Sequence, residues 1–156
     1  VWNAINENQV DTIGTDHVAN QLKLKLGGST VWDALAGFPG IGTLLPLLLS
    51  EGVNKNRISI SQLANLTSVN TAKIFGMYPQ KGTLEKNSDA DITMIDLKKE
   101  KTVTSDLFGG FSDYIVYEGR NLKGWPVKTI VRGELIADDF EVIGKLGHGR
   151  LVERKI

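Results

Sequence analysis

The sequence predicts a two-part fold, a mixed α/β segment through residue 77 followed by a mostly β segment from 78 to 156. Three observations carry this. Apolar residues fall at helical spacing in the first half, at Trp2 and Ile5, along 44–49, and at Leu63 and Leu66. From Lys81 onward they gather in short runs rich in β-branched and aromatic side chains, separated by turn formers. The composition, 41% hydrophobic and 23% charged over 156 residues, is that of a folded chain rather than a disordered one.

Taken in order, Trp2, Ile5 and Val10 mark a short amphipathic helix. Thr12 and Ile13, ending in Gly14, read as a short buried strand that releases the polar residues Thr15, Asp16 and His17 at its end. Residues 20–40 form a long shaped loop with many glycines, and the leucine–lysine alternation at 21–26 predicts an extended piece within it. A deeply buried helix follows at 43–51, almost apolar all round, with Pro46 in its first turn and Gly52 closing it. Ser59 with Gln62 matches a capping box ahead of Leu63 and Leu66. A last helix carries Ala72, Ile74 and Phe75, capped by Ser68 or Asn70 and closed by Gly76. In the second half, 91–96 and 114–117 read as strands, and 127–132 with 134–137 read as a hairpin around Gly133. Lys98, Lys99 and Lys101, broken by Glu100, are expected on a solvated loop.

Charge and composition narrow the function. The 18 basic and 18 acidic residues balance, so no overall field favours nucleic acid or an anionic membrane as partner. The most apolar stretch, 41–49, is far shorter than the roughly 20 residues of a membrane span. No basic-then-apolar leader opens the chain, which also lacks an initiator Met and is expected to begin inside a longer protein. The absence of cysteine removes disulfides, thiolate ligands and a cysteine nucleophile, and fits a cytoplasmic location.

Few residues can carry chemistry. The chain has two histidines, His17 and His148, whereas a catalytic zinc site takes three protein ligands and a two-metal site more. Asp16 and His17 at the end of the strand are the best candidates, with a helix cap or turn role as the plainer alternative for Asp16. No Gly-x-Ser-x-Gly elbow is present. The glycines of 37–42 precede a helix but lack the Lys-Ser/Thr ending of a phosphate-binding loop. Asp89 and Asp91 read as a turn entering a strand, and Trp2, Trp32 and Trp125 as packing residues.

Several segments, in order, resemble the cyclic amidohydrolases: hydantoinases, dihydropyrimidinases, allantoinases and dihydroorotases. Thr12-Ile13-Gly14-Thr15-Asp16-His17 resembles the eighth barrel strand of that family, usually Ser/Thr-Asp-His. The run from Gly37-Phe38-Pro39-Gly40 to Ser50-Glu51-Gly52-Val53 is similar to the loop and helix after it, departing at Gly42, where many relatives have Glu. Ser68-Val69-Asn70-Thr71-Ala72-Lys73-Ile74-Phe75-Gly76 resembles Ser-x-Asn-Pro-Ala-Lys-x-Phe-Gly, with Thr71 where Pro is common. Lys81-Gly82, Asp89-Ala90-Asp91, Gly124-Trp125-Pro126, Val131-Arg132-Gly133 and Gly147-His148-Gly149-Arg150 continue the likeness, and Asn87 departs from the family's Gly.

The resemblance implies the C-terminal end of a (β/α)8 amidohydrolase barrel (1–77) followed by part of a small β-sandwich (78–156). It implies two zinc ions in the intact enzyme and a bridging hydroxide that attacks a ring amide. Asp16 would be the catalytic residue, binding metal, accepting the proton and returning it to the leaving nitrogen. Pro39 and Gly40 would contact the substrate ring, and His17 would support the site from behind. The substrate would be a small cyclic amide, a hydantoin or dihydropyrimidine first, with allantoin and dihydroorotate as further possibilities. The family's His-x-His pair and carboxylated lysine have no counterpart here. The chain is therefore expected to be inactive alone, to hold no stoichiometric zinc, and to need the N-terminal remainder of the protein and a homo-oligomeric assembly. The alternative is a non-enzymatic dihydropyrimidinase-like scaffold.

Overall fold

The computed structural model describes residues 1–154. Its helical part opens with α1 (Trp2–Asn6) and, after an irregular stretch, a single turn α2 (Leu22–Lys25). Helix α3 (Leu44–Leu47) runs on without a break into a wider, π-type turn at Leu48–Val53. There the Asn54 amide reaches five residues back to the Leu49 carbonyl at 2.8 Å. Helix α4 (Ile60–Ala64) continues the same way through Asn65–Val69 into α5 (Asn70–Ile74). Its capping box is formed as expected: Gln62 N–H donates to Ser59 Oγ at 3.1 Å and Ser59 N–H to Gln62 Oε1 at 2.8 Å.

The second part is an antiparallel meander, β1 (Ile92–Thr102), β2 (Asn121–Val131), β3 (Glu134–Asp138) and β4 (Glu141–Val142), paired in that order. The expected hairpin is present, with Val131 paired to Glu134 across a two-residue turn whose residues, Arg132 and Gly133, both take positive φ.

Two apolar clusters hold the chain. Ile5, Leu48, Leu49, Ile58, Leu63 and Leu66 form one, and Val103, Ile115, Leu122 and Trp125 the other. The helix 44–53 is the wedge between them: Leu48 and Leu49 belong to the first, and Leu47 packs on the second. This is why it is apolar nearly all round. It docks on β2 at Gly124, where a Cβ would lie 2.8 Å from Leu49 Cβ and where φ is +97°, so only glycine fits. Polar groups close the seam. Asn54 Nδ2 donates to the carbonyls of Lys123 (2.9 Å) and Leu97 (3.2 Å), and Lys123 N–H donates to Ser50 Oγ (3.2 Å). Trp125 is fully buried between Phe108 and Phe140, with its indole N–H on the Leu122 carbonyl at 2.8 Å.

Six expectations fail locally. No last helix begins at a Ser68 or Asn70 cap: the chain stays helical through 65–69, and Val69 ahead of α5 is itself helical, with no side-chain cap. Residues 12–14 form no strand and pair with none among the described residues. Ile13 packs on the first cluster instead, and Asn70 Nδ2 holds the Asp11 carbonyl at 3.0 Å. The 21–26 segment is a helical turn rather than extended, and its leucines remain exposed, so the alternation encodes no buried face. The lysines 98, 99 and 101 lie within β1, not on a loop. The Asp96 carboxylate accepts the Lys98 and Lys99 amides at a register shift, and Lys99 and Lys101 stand over the Phe140 ring. Residues 114–117 enter a turn rather than a strand, with Ile115 buried in the second core and Tyr117 packed against it. Trp32 packs on nothing comparable to Trp125, being 91% exposed.

Asp89 and Asp91 both pair with Lys81, Asp89 at 2.9 Å, and Asp91 also accepts the Arg132 amide. The pair is thus an ionic knot tying the β2–β3 hairpin to the chain leaving α5. Burial opposes the Lys81 charge, but the hydrogen bonds and attraction of Asp91 and Asp89 outweigh it and hold the ammonium above the usual lysine range. The hydrogen bond from Lys81 in turn holds Asp89 below the usual carboxylate range.

Two outcomes follow from this packing. Leu49→Ala removes a fully buried side chain at the seam and is expected to lower unfolding stability by about 2–5 kcal/mol in urea titration. Asp89 has a depressed folded-state pKa, so its contribution is present above its unfolded value of about 4 and is lost as pH falls through the folded value. The melting temperature is therefore expected to fall on acidification below pH ~4, and to fall less steeply in Asp89→Asn.

Candidate functional site

Asp16 sits at the end of the irregular stretch after α1, exposed, with its backbone in the left-handed region at φ 48°. Aspartate is one of the few side chains that tolerate this conformation. Among the described residues its carboxylate makes no hydrogen bond or ion pair. Its neighbour turns back onto the following loop: His17 pairs in parallel with Phe38, and the Val18 amide donates to the Phe38 carbonyl at 3.1 Å. His17 Nδ1 accepts the Gly40 amide at 3.0 Å, with the Ile41 amide at 3.4 Å. The four candidates Asp16, His17, Pro39 and Gly40 are thus neighbours in space. Pro39 is buried, and Gly40 is spent holding His17.

Two further residues shape this loop. At Gly37, φ is +77° and an added Cβ would meet Val18 Cγ2 at 2.2 Å, so glycine is required there. A side chain at Gly40 would only touch Thr15 at 3.8 Å, an ordinary contact. Lys25 Nζ donates to the carbonyls of Leu35 (2.7 Å) and Gly37 (2.9 Å) and lies 4.1 Å from the centre of the Phe38 ring. Nothing in the sequence marks Lys25, because lysines alternating with leucines look like a solvated face. The turn bearing Trp32 is closed by a capping box in which Asp33 accepts Thr30 N–H (3.0 Å) and Oγ–H (2.8 Å). Those bonds hold the Asp33 carboxyl below its usual range.

Beyond the turn, the chain is tied to the second part of the molecule. Tyr114 O–H donates to Asn20 Oδ1 at 2.9 Å, and the Leu22 amide donates to Asp113 Oδ1 at 2.8 Å. Burial, and then the charge of Asp113, push the Tyr114 phenol up, so it keeps its proton and remains a donor. Asn20 is only 5% exposed, and its Nδ2 and the nearby loop's Ser112 Oγ are buried without a partner among the described residues. Such groups cost about 1–3 kcal/mol each.

Residues 1–136 match the model of the amidohydrolase family. The chain belongs to that family. It is 38% identical to an L-hydantoinase of Paenarthrobacter aurescens and 34% identical to a D-hydantoinase of Geobacillus stearothermophilus, each alignment covering 99% of this chain. Its backbone superposes on a crystal structure of a dihydropyrimidinase from Brevibacillus agri with a TM-score of 0.93 at 34% identity, over 98% of this chain. It spans about a third of the length of these relatives, 34%, 33% and 34% respectively.

Amidohydrolases generally bind metal. The described residues include no group of three or more His, Cys, Asp or Glu placed to hold an ion. The candidate next to Asp16, His17, already has its Nδ1 lone pair taken by the Gly40 amide. His148 lies elsewhere, its ring between the Val131 carbonyl and Glu134. The donor set of this chain therefore does not fit a complete metal centre, and no reaction step can be derived through one here. Nor does any helix among the described residues have the length and apolarity to cross a membrane.

The loop's dependence on Gly37 is directly testable. Gly37→Ala is expected to cost about 1–3 kcal/mol. Amide exchange at Val18 and Gly40 should speed up while the β2 amides stay protected.

Proposed function

We propose that this chain contributes the carboxylate of Asp16, and the loop 36–42 beside it, to an enzyme that hydrolyses a ring amide of a hydantoin or dihydropyrimidine. The observation that carries this is Asp16 itself: an exposed carboxylate with no partner among the described residues, beside a loop pinned by backbone hydrogen bonds, in an amidohydrolase chain similar to hydantoinases and a dihydropyrimidinase. Opening such a ring adds water across the C–N bond. The water oxygen joins the carbonyl carbon, and a proton must leave the water and reach the departing nitrogen. An ionised carboxylate can take that proton and return it. Pro39 and Gly40 belong to the loop proposed to lie against the ring, with the Gly40 amide engaged by His17, which braces that loop behind Asp16.

In this reading, 1–77 is the last part of a (β/α)8 barrel and 78–156 belongs to a small β-sandwich. Asp16 supplies one ligand to a two-zinc centre whose other ligands come from outside the chain. The working enzyme is a cytoplasmic homo-oligomer, and the isolated chain is inactive.

Purified chain, assayed for loss of dihydrouracil or hydantoin, should stay at background with zinc well below one equivalent by elemental analysis. In a protein of the relatives' full length that carries this sequence, Asp16→Asn should lower kcat by about 10²–10⁴-fold. Zinc-dependent turnover by the isolated chain would remove the need for outside ligands. An unchanged kcat in Asp16→Asn would remove Asp16 from the reaction.

A further inference from the structure

The turn that presents Asp16 has little regular structure to hold it. Asp16 and His17 sit between a stretch that pairs with no strand among the described residues and a loop, and the bonds from His17 and Val18 reach that loop, at Phe38, Gly40 and Ile41. The loop is tied to the start of the helix 44–53, where buried Thr43 donates its amide (3.1 Å) and its hydroxyl (2.9 Å) to the Gly40 carbonyl. Two further attachments flank the turn along the chain. On the N-terminal side, Asn70 Nδ2 holds the Asp11 carbonyl to α5. On the C-terminal side, Tyr114 O–H holds Asn20 Oδ1 at 2.9 Å and Asp113 Oδ1 holds the Leu22 amide at 2.8 Å.

The C-terminal attachment is rigid at its far end. Ile115, next to Tyr114, is buried with Val103, Leu122 and Trp125, so the 113–114 backbone is anchored in the second core. It is also expensive at its near end, since Asn20 is buried with its Nδ2 unpartnered among the described residues.

We infer that Asp113 and Tyr114 are positioning residues, clamping Asn20 and Leu22 so that the β part of the molecule holds the C-terminal side of the Asp16–His17 turn, beside the hold of the helix 44–53 on the loop. The assignment of a purpose to this clamp rests on the proposed role of Asp16; the clamp itself does not. It acts at a distance of four to six residues from Asp16 along the chain, through the backbone of 17–22, and touches no reacting atom.

Hydrogen exchange on the 156-residue chain reads it without turnover. Tyr114→Phe and Asp113→Ala should each speed exchange at Val18 and Gly40 by about tenfold, the loss of one net hydrogen bond, while the β2 amides keep wild-type protection. Asp113→Asn keeps an acceptor oxygen and should restore wild-type rates. Unchanged exchange at Val18 and Gly40 in both Tyr114→Phe and Asp113→Ala would overturn the clamp. So would an equal rise at the β2 amides, which would mark a general loss of stability, or failure of Asp113→Asn to restore protection. If the clamp holds while Asp16→Asn leaves turnover intact, the reading of Asp16 fails and the clamp stands.

Discussion

The close approach of the helix 44–53 to β2 at Gly124 is the contact on which the rest of the structure depends. Leu49 and Trp125 are both fully buried, on opposite sides of this seam, and each anchors a different apolar cluster. Without the seam, the helical part would have one exposed flank and the sheet another, and neither cluster is large enough to look self-sufficient. The widening of the helix at Leu48–Val53 fits the same constraint, because it lets Ser50 and Asn54 face the carbonyl and amide of Lys123 while Leu49 stays against Gly124. Polar groups at such a seam must be paired, and here they are.

The candidate site hangs from this frame rather than being part of it. Its residues are held by side chains bonded to backbone: Lys25 to Leu35 and Gly37, His17 to Gly40, Asp113 to Leu22, Asn70 to Asp11. That style of construction trades the regularity of a ladder for freedom to place one carboxylate at positive φ in solvent. It also places a glycine that close approach requires, Gly37, in the loop beside Asp16.

Much of this was legible in the sequence, for identifiable reasons. The helix at 44–53 announced itself by being apolar on every face, α4 by a side-chain motif that caps helices wherever it occurs, and the hairpin at Gly133 by its local turn chemistry. Each of these signals is local. Several of the failures are cases where a distant partner decides, while Trp32 and the leucines of 21–26 simply stay exposed. Lys98 to Lys101 look solvated until Asp96 turns the bulge and Phe140 lies beneath them, and 114–117 look like a strand until Ile115 is needed inside the second core. In the site, Asp16 and His17 were legible through the order of family-like segments. Lys25, Asp113 and Tyr114 were not, because bonds spanning from 10 to 94 residues leave no spacing to read.

His17 shows how geometry refines a residue picked from sequence. A histidine beside a candidate metal-binding aspartate invites a ligand role, and a neutral imidazole has one lone pair to give. Here that lone pair, on Nδ1, receives the Gly40 amide, which leaves the proton of the neutral ring on Nε2. To bind a metal through Nε2, the ring would have to move its proton to Nδ1, directly against the Gly40 N–H, and break the bond that pins the loop. Protonation would do the same, since Nδ1 would then donate toward another donor. The ring is therefore committed to the loop. The carboxylate beside it is the group in this turn left with acceptor capacity to spend on a ligand.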